Sequence, residues 1–144
     1  MEQEQLFIDY IERSIVQNWD KNALTDYQGI TLQYKDVARK IAKFHIVLES
    51  AGIRPGDKIA VCGRNSAHWA VCFLATVTYG AVIVPILHEF KADNIHNIVN
   101  HSEAKLLFVG DRRSYAAVNG SGTADGFHSG RLPGRTTHGS IRTP

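Results

Sequence analysis

The sequence predicts an α/β fold: an incomplete, open parallel sheet of βαβ units with helices on its faces, preceded by an N-terminal helix and a short hairpin. Three observations predict it. Short apolar runs at residues 58–62, 82–87 and 105–109 have the β-branched and aliphatic composition of buried strands. The segments between them, 67–79 and 93–101, have helical length and patterning. Strands alternating with helices of about a dozen residues give successive crossover units, hence parallel pairing with both faces covered.

The first helix spans residues 5–19, where Phe7, Ile8, Ile11, Ile15 and Trp19 recur at three and four residues and Glu12, Arg13 and Gln17 take the other face. Residues 22–27 and 30–34 alternate around Gln28 and Gly29, which predicts a short hairpin. Residues 35–51 form the clearest amphipathic helix, with a stripe of Val37, Ile41, Phe44 and Leu48 and with Lys35, Arg39, Lys40 and Lys43 towards water. Gly52 is placed to stop it, with Ile53 supplying the accompanying apolar contact. Arg54, Pro55, Gly56 and Asp57 then have the proline and glycine positions of a type II turn.

The turn feeds the strand at 58–62, and Gly63, Arg64, Asn65 and Ser66 link it to the next helix with Asn65 or Ser66 as N-cap. Residues 69–87 are the longest uncharged run, 19 residues, long enough to raise the question of a membrane span. Tyr79 and Gly80 divide it. A nearly all-apolar helix at 67–79 precedes a buried strand at 82–87 that carries Pro85, so no transmembrane segment is expected. Trp69, Gly80 and Pro85 are read as core and turn determinants. Asp93 is placed to cap a helix running to about His101, with Ile95, Ile98 and Val99 inward, before the third core strand.

At 144 residues and 44% apolar content the chain can form one domain with a real core. A net charge of +2 is too small to imply a nucleic-acid or anionic-membrane partner. It is unevenly spread: residues 1–111 hold 11 Lys and Arg against 13 Asp and Glu, whereas residues 112–144 hold five Arg against one Asp. Residues 112–144 also carry six of the twelve glycines, no lysine and no apolar period. The chain is therefore divided into an α/β unit at 1–111 and a Gly/Arg-rich tail at 112–144. The tail is expected to lack order and to be non-native, a shifted reading frame or appended sequence beginning near Arg112; the alternative is a natural disordered tail. Cys62 and Cys72 fall in apolar surroundings and read as buried reduced thiols. Together with an acidic N-terminus that has no apolar signal core, they predict a cytoplasmic chain.

Chemistry-bearing patterns are few. The loop 62–66 offers N–H groups at a helix start and the cation of Arg64, a place where an anion could sit outside the carboxyl end of a strand. An ordinary capped turn is the favoured reading, and no G-x-G-x-x-G is present. His88, beside Glu89 and just past a strand end, is the best isolated site candidate, though a surface-loop role is favoured. His96 and His101 are five apart, not the spacing that aims two imidazoles together, and neither cysteine lies in a C-x-x-C pair. Residues 119–126 are rich in Gly, Ser and Thr, but no strand precedes and no helix or lysine follows as a phosphate loop requires. No catalytic, cofactor-binding or metal residue is assigned.

Taken in order, several short motifs carry a resemblance. Ala23 and Leu24, then Ile30, Thr31, Leu32, Gln33, Tyr34, Lys35, Asp36 and Val37, look like a motif written L-T-Y-x-E-L, from which Gln33, Asp36 and Val37 depart. Gly52, Gly56, Asp57, Lys58, Ile59, Ala60, Val61, Asn65, Ser66 and Trp69 look like G…GD-x-V-A-I…N-S-x-x-W. Leu74, Ala75, Gly80, Ala81, Val84, Pro85 and Ile86 are similar to L-A…G-A-x-x-V-P-L, and residues 100–111 look most like a fatty-acyl branch. From Ala23 to Asp111 the chain resembles the N-terminal segment of AMP-forming acyl-CoA synthetases, the adenylate-forming superfamily that includes long-chain fatty acid–CoA ligases.

The resemblance implies a two-step reaction in the full-length enzyme. A fatty acid carboxylate attacks ATP to give acyl-adenylate and pyrophosphate, and the thiol of coenzyme A then displaces AMP, with Mg²⁺ neutralising the phosphates. It also implies a cytoplasmic enzyme with a peripheral membrane association. The family's phosphate loop ending in Pro-Lys-Gly, its ribose-holding Asp, its hinge and its C-terminal lysine have no counterpart here, so the chain alone is expected to be inactive. An adenylation domain for amino or aryl acids is the nearest alternative. A stand-alone flavodoxin-like binding module using residues 63–66, and a self-associating unit with an unpaired sheet edge, belong to other classes.

Overall fold

Two sheets and four helices make up the fold in a computed structural model of the chain, which describes residues 5–110 and the backbone of 128–130. The element order is α1 (Phe7–Gln17), β1 (Asn22–Thr25), β2 (Thr31–Gln33), α2 (Tyr34–Ser50), β3 (Lys58–Gly63), α3 (Ala67–Tyr79), β4 (Val82–Leu87), α4 (Ala92–Ser102), β5 (Leu106–Val109) and β6 (His128–Gly130). β1 and β2 form an antiparallel hairpin, and the larger sheet has the order β4-β3-β5-β6. β3 pairs in parallel with both β4 and β5, whereas β6 adds antiparallel to β5. The parallel core, the preceding helix and the hairpin are as the sequence predicts.

Period-two alternation along the central strands divides the core into two faces. Ile59 and Val61 of β3, with Leu106 and Phe108 of β5, pack against Leu48 of α2 and Cys72 of α3. Ala60, Cys62, Leu107 and Val109 point the other way, onto Ile95 and Val99 of α4. Strands buried on both faces must be apolar without interruption, which is why all four residues of β5 are buried. A third cluster joins the hairpin to the helices: Leu32 meets Val37 and Ile41 of α2 and Ala67, Val71 and Ala75 of α3. The stripe read for α2 is the one that is buried, with Phe44 against the Phe108 ring at 4.5 Å.

Two breaks in the chain work as the sequence implies. After α2, the Gly52 N–H donates to Glu49 O and the Ile53 N–H to Leu48 O, the paired bonds of a Schellman motif. Gly80 ends α3 at φ +87°, a conformation in which a β-carbon would be strained, and so converts the uncharged run into helix and strand. None of the helices among the described residues is long and apolar enough to cross a membrane.

Four expectations are corrected. The strand at 82–87, read as buried, lies at the edge of the sheet: Ile86 alone is buried, and Val82, Pro85 and Leu87 are exposed because among the described residues no strand pairs beyond β4. Tyr34 opens α2 instead of ending the hairpin strand, because Asp36 accepts the Gln33 N–H at 2.9 Å and starts the helix one residue early. Asp93 is not the cap of α4: Lys91 holds that position in extended backbone, and Asp93 lies in the first turn, where a carboxylate still favours the helix dipole. The apolar stripe of α1 is only half used. Ile11 and Ile15 are partly covered, while Phe7, Ile8 and Trp19 are exposed, and α1 buries no residue fully. Residues 112–127 and 131–144, which include the Gly/Ser/Thr-rich stretch at 119–126, lie outside the described residues.

Candidate functional site

β3 and β4 are neighbours, yet the helices that follow them cover opposite faces of the sheet. Their carboxyl ends therefore form a switch point, where open α/β sheets offer a crevice to ligands. Gly63 is in register with Leu87, so the topology brings the 63–66 and 88–91 loops to the same end of the sheet. Both loop candidates of the sequence thus share one place. Arg64, Asn65, His88 and Glu89 are exposed there.

The start of α3 decides what that place can hold. Ser66 is the N-cap, with extended backbone and its Oγ accepting the Trp69 N–H at 3.1 Å. The Ala67 N–H donates to Oδ1 of Asp26, 41 residues earlier, at 2.6 Å. The Ala70 N–H closes onto Ser66 O at 3.0 Å. A carboxylate of the protein itself thus occupies the position at this helix terminus that an external anion would seek. The favoured reading of a capped turn holds, with Ser66 and not Asn65 as cap.

Asp26 is the residue that sequence reasoning missed. It is set by the hairpin turn: the Asp26 N–H donates to Ile30 O, and the Gly29 N–H donates to Asp26 O, with Gln28 at φ +52°. A β-carbon at position 29 would come within 2.9 Å of the Asp26 β-carbon, so glycine there keeps the turn tight. Nothing local in the sequence distinguishes a capping aspartate 41 residues away from one that caps its own turn.

The remaining candidates are not gathered into a constellation. His88 Nε2 lies 3.9 Å from Glu89 Oε1, with the glutamate largely in water. His96 and His101 are exposed on α4. Among the described residues no group of three His, Cys, Asp or Glu is placed to hold a metal ion. Cys62 and Cys72 are buried on opposite faces of the sheet and form no disulfide, and burial pushes the Cys72 thiol up to about 12, so it stays protonated and a poor nucleophile. Beyond the loops, Gly63 and Gly110 touch: a β-carbon on Gly63 would sit 3.0 Å from Gly110 Cα. The Gly110 N–H donates to Cys62 O at 2.8 Å, which closes the carboxyl ends of β3 and β5 tightly.

The opposite end of the sheet carries the shortest ion pair among the described residues. Lys105 Nζ lies 2.7 Å from Oδ1 of Asp57, which is mostly shielded from water. Asp57 Oδ2 also accepts the Arg54 N–H at 2.8 Å. The hydrogen bond from Lys105 holds the Asp57 carboxyl below its ordinary range, burial opposing and the Arg54 N–H assisting. Across the helical layer, His45 Nε2 on α2 lies 2.9 Å from Ala75 O and 3.0 Å from Thr78 Oγ1 on α3. The carbonyl can only accept, so this nitrogen carries the proton. Both groups fix the scaffold.

Comparison with known proteins matches this arrangement to one family. The family described as AMP-binding enzyme matches residues 11–133. The chain is 37% identical over 90 residues to an acetyl-coenzyme A synthetase of Chlorobaculum tepidum, covering 61% of this chain and 14% of that protein. It is 31% identical over 84 residues to a fatty acid–acyl-carrier-protein ligase of Streptomyces coeruleorubidus, covering 58% of this chain and 16% of that protein. Among solved structures, the anthranilate CoA ligase AuaEII in complex with anthranoyl-AMP superposes with a TM-score of 0.73 at 22% identity, over 78% of this chain and 22% of that one. The N-terminal subdomain of Klebsiella oxytoca NpsA superposes with a TM-score of 0.71 at 22% identity, over 83% of this chain and 30% of that one. These two likenesses establish the fold. The chain spans about one-sixth of the length of the curated relatives it matches. With the family match covering most of its length, the chain belongs to the AMP-binding enzyme family.

Proposed function

We propose that this chain is the N-terminal part of a fatty acid–CoA ligase of the AMP-forming type and that, alone, it is scaffold without activity. The observation that carries the reading is the family match over residues 11–133, supported by relatives named as fatty acid and long-chain acyl-CoA ligases. In the longer enzyme, ATP and a fatty acid would give acyl-adenylate and pyrophosphate, coenzyme A would displace AMP, and Mg²⁺ would screen the phosphates. The residues described here do not fit a phosphate group. The helix terminus that could have taken one, at the start of α3, is closed by Asp26 and Ser66, and the cations of the two loops at that end, Arg64 and Lys91, are both exposed to water. No step is therefore assigned to any residue of this chain.

The contribution of residues 22–110 is positional. They set one parallel sheet and its helices against each other, the rigid support on which a site built by later segments would rest. A cytoplasmic location accords with two reduced, buried thiols. On its composition we read the tail from about Arg112 onwards as a segment of different coding origin, although the family match itself runs on to residue 133.

A second reading, adenylation of a different carboxylic acid, is favoured by the acetyl-coenzyme A synthetase at 37% identity and by the anthranilate ligase among the structural neighbours. One experiment separates these. The coding frame downstream of Asp111 is sequenced, the longer protein is expressed, and acid-dependent ATP–pyrophosphate exchange is measured with acetate, aryl acids and fatty acids of graded length. Exchange greatest with long chains supports the fatty acid reading, and exchange greatest with acetate or an aryl acid replaces it with the second. No exchange with any acid, or tight binding of a flavin phosphate instead, removes the ligase reading.

A further inference from the structure

In the larger sheet β6 pairs along β5 over Leu107 to Val109, so among the described residues the outer side of β4 is one of two open edges, the other being that of β6. The β4 edge is apolar: Val82 is 45% and Leu87 62% exposed, and Phe90 follows close by. A parallel sheet with such an edge is a template for adding another strand, above all one from a second copy of the chain.

The hydrogen-bond phase of β4 shows what that edge offers. The Val82 N–H donates inward to Asp57 O at 2.8 Å. Successive residues of a strand turn their backbone groups to alternate sides. Val82, Val84 and Ile86 therefore serve the ladder with β3, while Ile83, Pro85 and Leu87 face outward. Pro85, in register with Val61, sits at the centre of the outward set and has no N–H. Its absence costs the β3 ladder nothing, because that side of Pro85 makes no bond to β3. It removes the middle donor of the edge and puts the ring where an incoming carbonyl would lie.

We propose that Pro85 guards the open edge of β4 and blocks strand-to-strand pairing between copies of this chain. In an antiparallel two-fold pairing centred on residue 85, two prolines would face each other with no bond between them, and the flanking bonds would fall on Ile83 and on Leu87, whose carbonyl already accepts the Phe90 N–H at 3.1 Å. Moving the centre by one residue sacrifices flanking bonds instead. Either register leaves backbone groups unpaired in a contact that excludes water.

The test compares the full 144-residue chain with its Pro85→Val and Pro85→Ala variants, by sedimentation across concentrations and by amide hydrogen exchange. Circular dichroism and cooperative unfolding establish that each variant folds, and alanine restores the N–H with least demand on space. The native protein is expected to exchange fast at Ile83 and Leu87 at every concentration, even where other surfaces bring copies together. Restoring the donor is expected to tighten self-association by about tenfold or more and to protect those two amides as concentration rises. Protection of Ile83 and Leu87 on association of the native chain would overturn the proposal. So would folded variants whose sedimentation and exchange match the native chain.

Discussion

Replacing Asp26 by alanine removes the carboxylate that hydrogen-bonds the hairpin to the start of α3. The perturbation is confined to a bond of 2.6 Å from the Ala67 N–H to a carboxylate oxygen, in a half-buried setting. A hydrogen bond to a charged acceptor is worth about 1.5–3 kcal/mol, and loss of a negative charge at a helix N-terminus about 0.3–1 kcal/mol more. The two overlap, and partial exposure lets water replace some of the bond, so the expected cost is about 2 kcal/mol. That is roughly a thirtyfold rise in the unfolding constant. Asp26→Asn keeps an oxygen acceptor without the charge and is expected to cost about half as much. Urea unfolding followed by tryptophan fluorescence measures both, with the slope against denaturant unchanged and amide exchange at Ala67 accelerated. An alanine variant within about 0.5 kcal/mol of the native protein, with Ala67 exchange unaltered, would refute the long-range cap.

Two further predictions follow from the ends of the sheet. Gly63→Ala places a β-carbon 3.0 Å from Gly110 Cα and 3.1 Å from its nitrogen, main chain that can yield only by parting β3 from β5. It is expected to destabilise by about 1–3 kcal/mol in the same unfolding assay, and a neutral result would contradict the close approach. Asp57 has a carboxyl lowered from 3.8 by Lys105, so its contribution is fully present above that unfolded value and is lost as pH falls through the lower folded one. Lys105→Met is expected to flatten the acid limb of the stability–pH curve. An unchanged limb would show that the pair carries no linkage.

Most of this fold was readable because its core strands are buried on both faces and so must be continuously apolar, as in Leu106, Leu107, Phe108 and Val109. The breaks were readable for a different reason: Gly52, Gly56 and Gly80 stand at positive φ, where glycine is the residue that fits. What the sequence hid is nonlocal. The bond from Ala67 to Asp26, the tether of His45 to α3 and the contact of Gly63 with Gly110 each join residues more than 25 apart, and no spacing rule connects them. The unburied part of α1 was also hidden, since an amphipathic stripe tells which side of a helix is apolar but not how far its neighbour extends. At the candidate site the loop 63–66 was located correctly from its place after a strand. Its occupancy by a carboxylate from the hairpin could be seen only in three dimensions.

The claim that this chain is scaffold of an AMP-forming ligase, with the N-terminus of α3 closed by its own side chains, is tested most directly by ATP–pyrophosphate exchange. The 144-residue protein is assayed with Mg²⁺ and a panel of fatty, aryl and short-chain acids. The account predicts exchange no greater than a protein-free blank with every acid. Acid-dependent exchange above that blank would mean that a working adenylation site exists within these residues, and the account would be wrong.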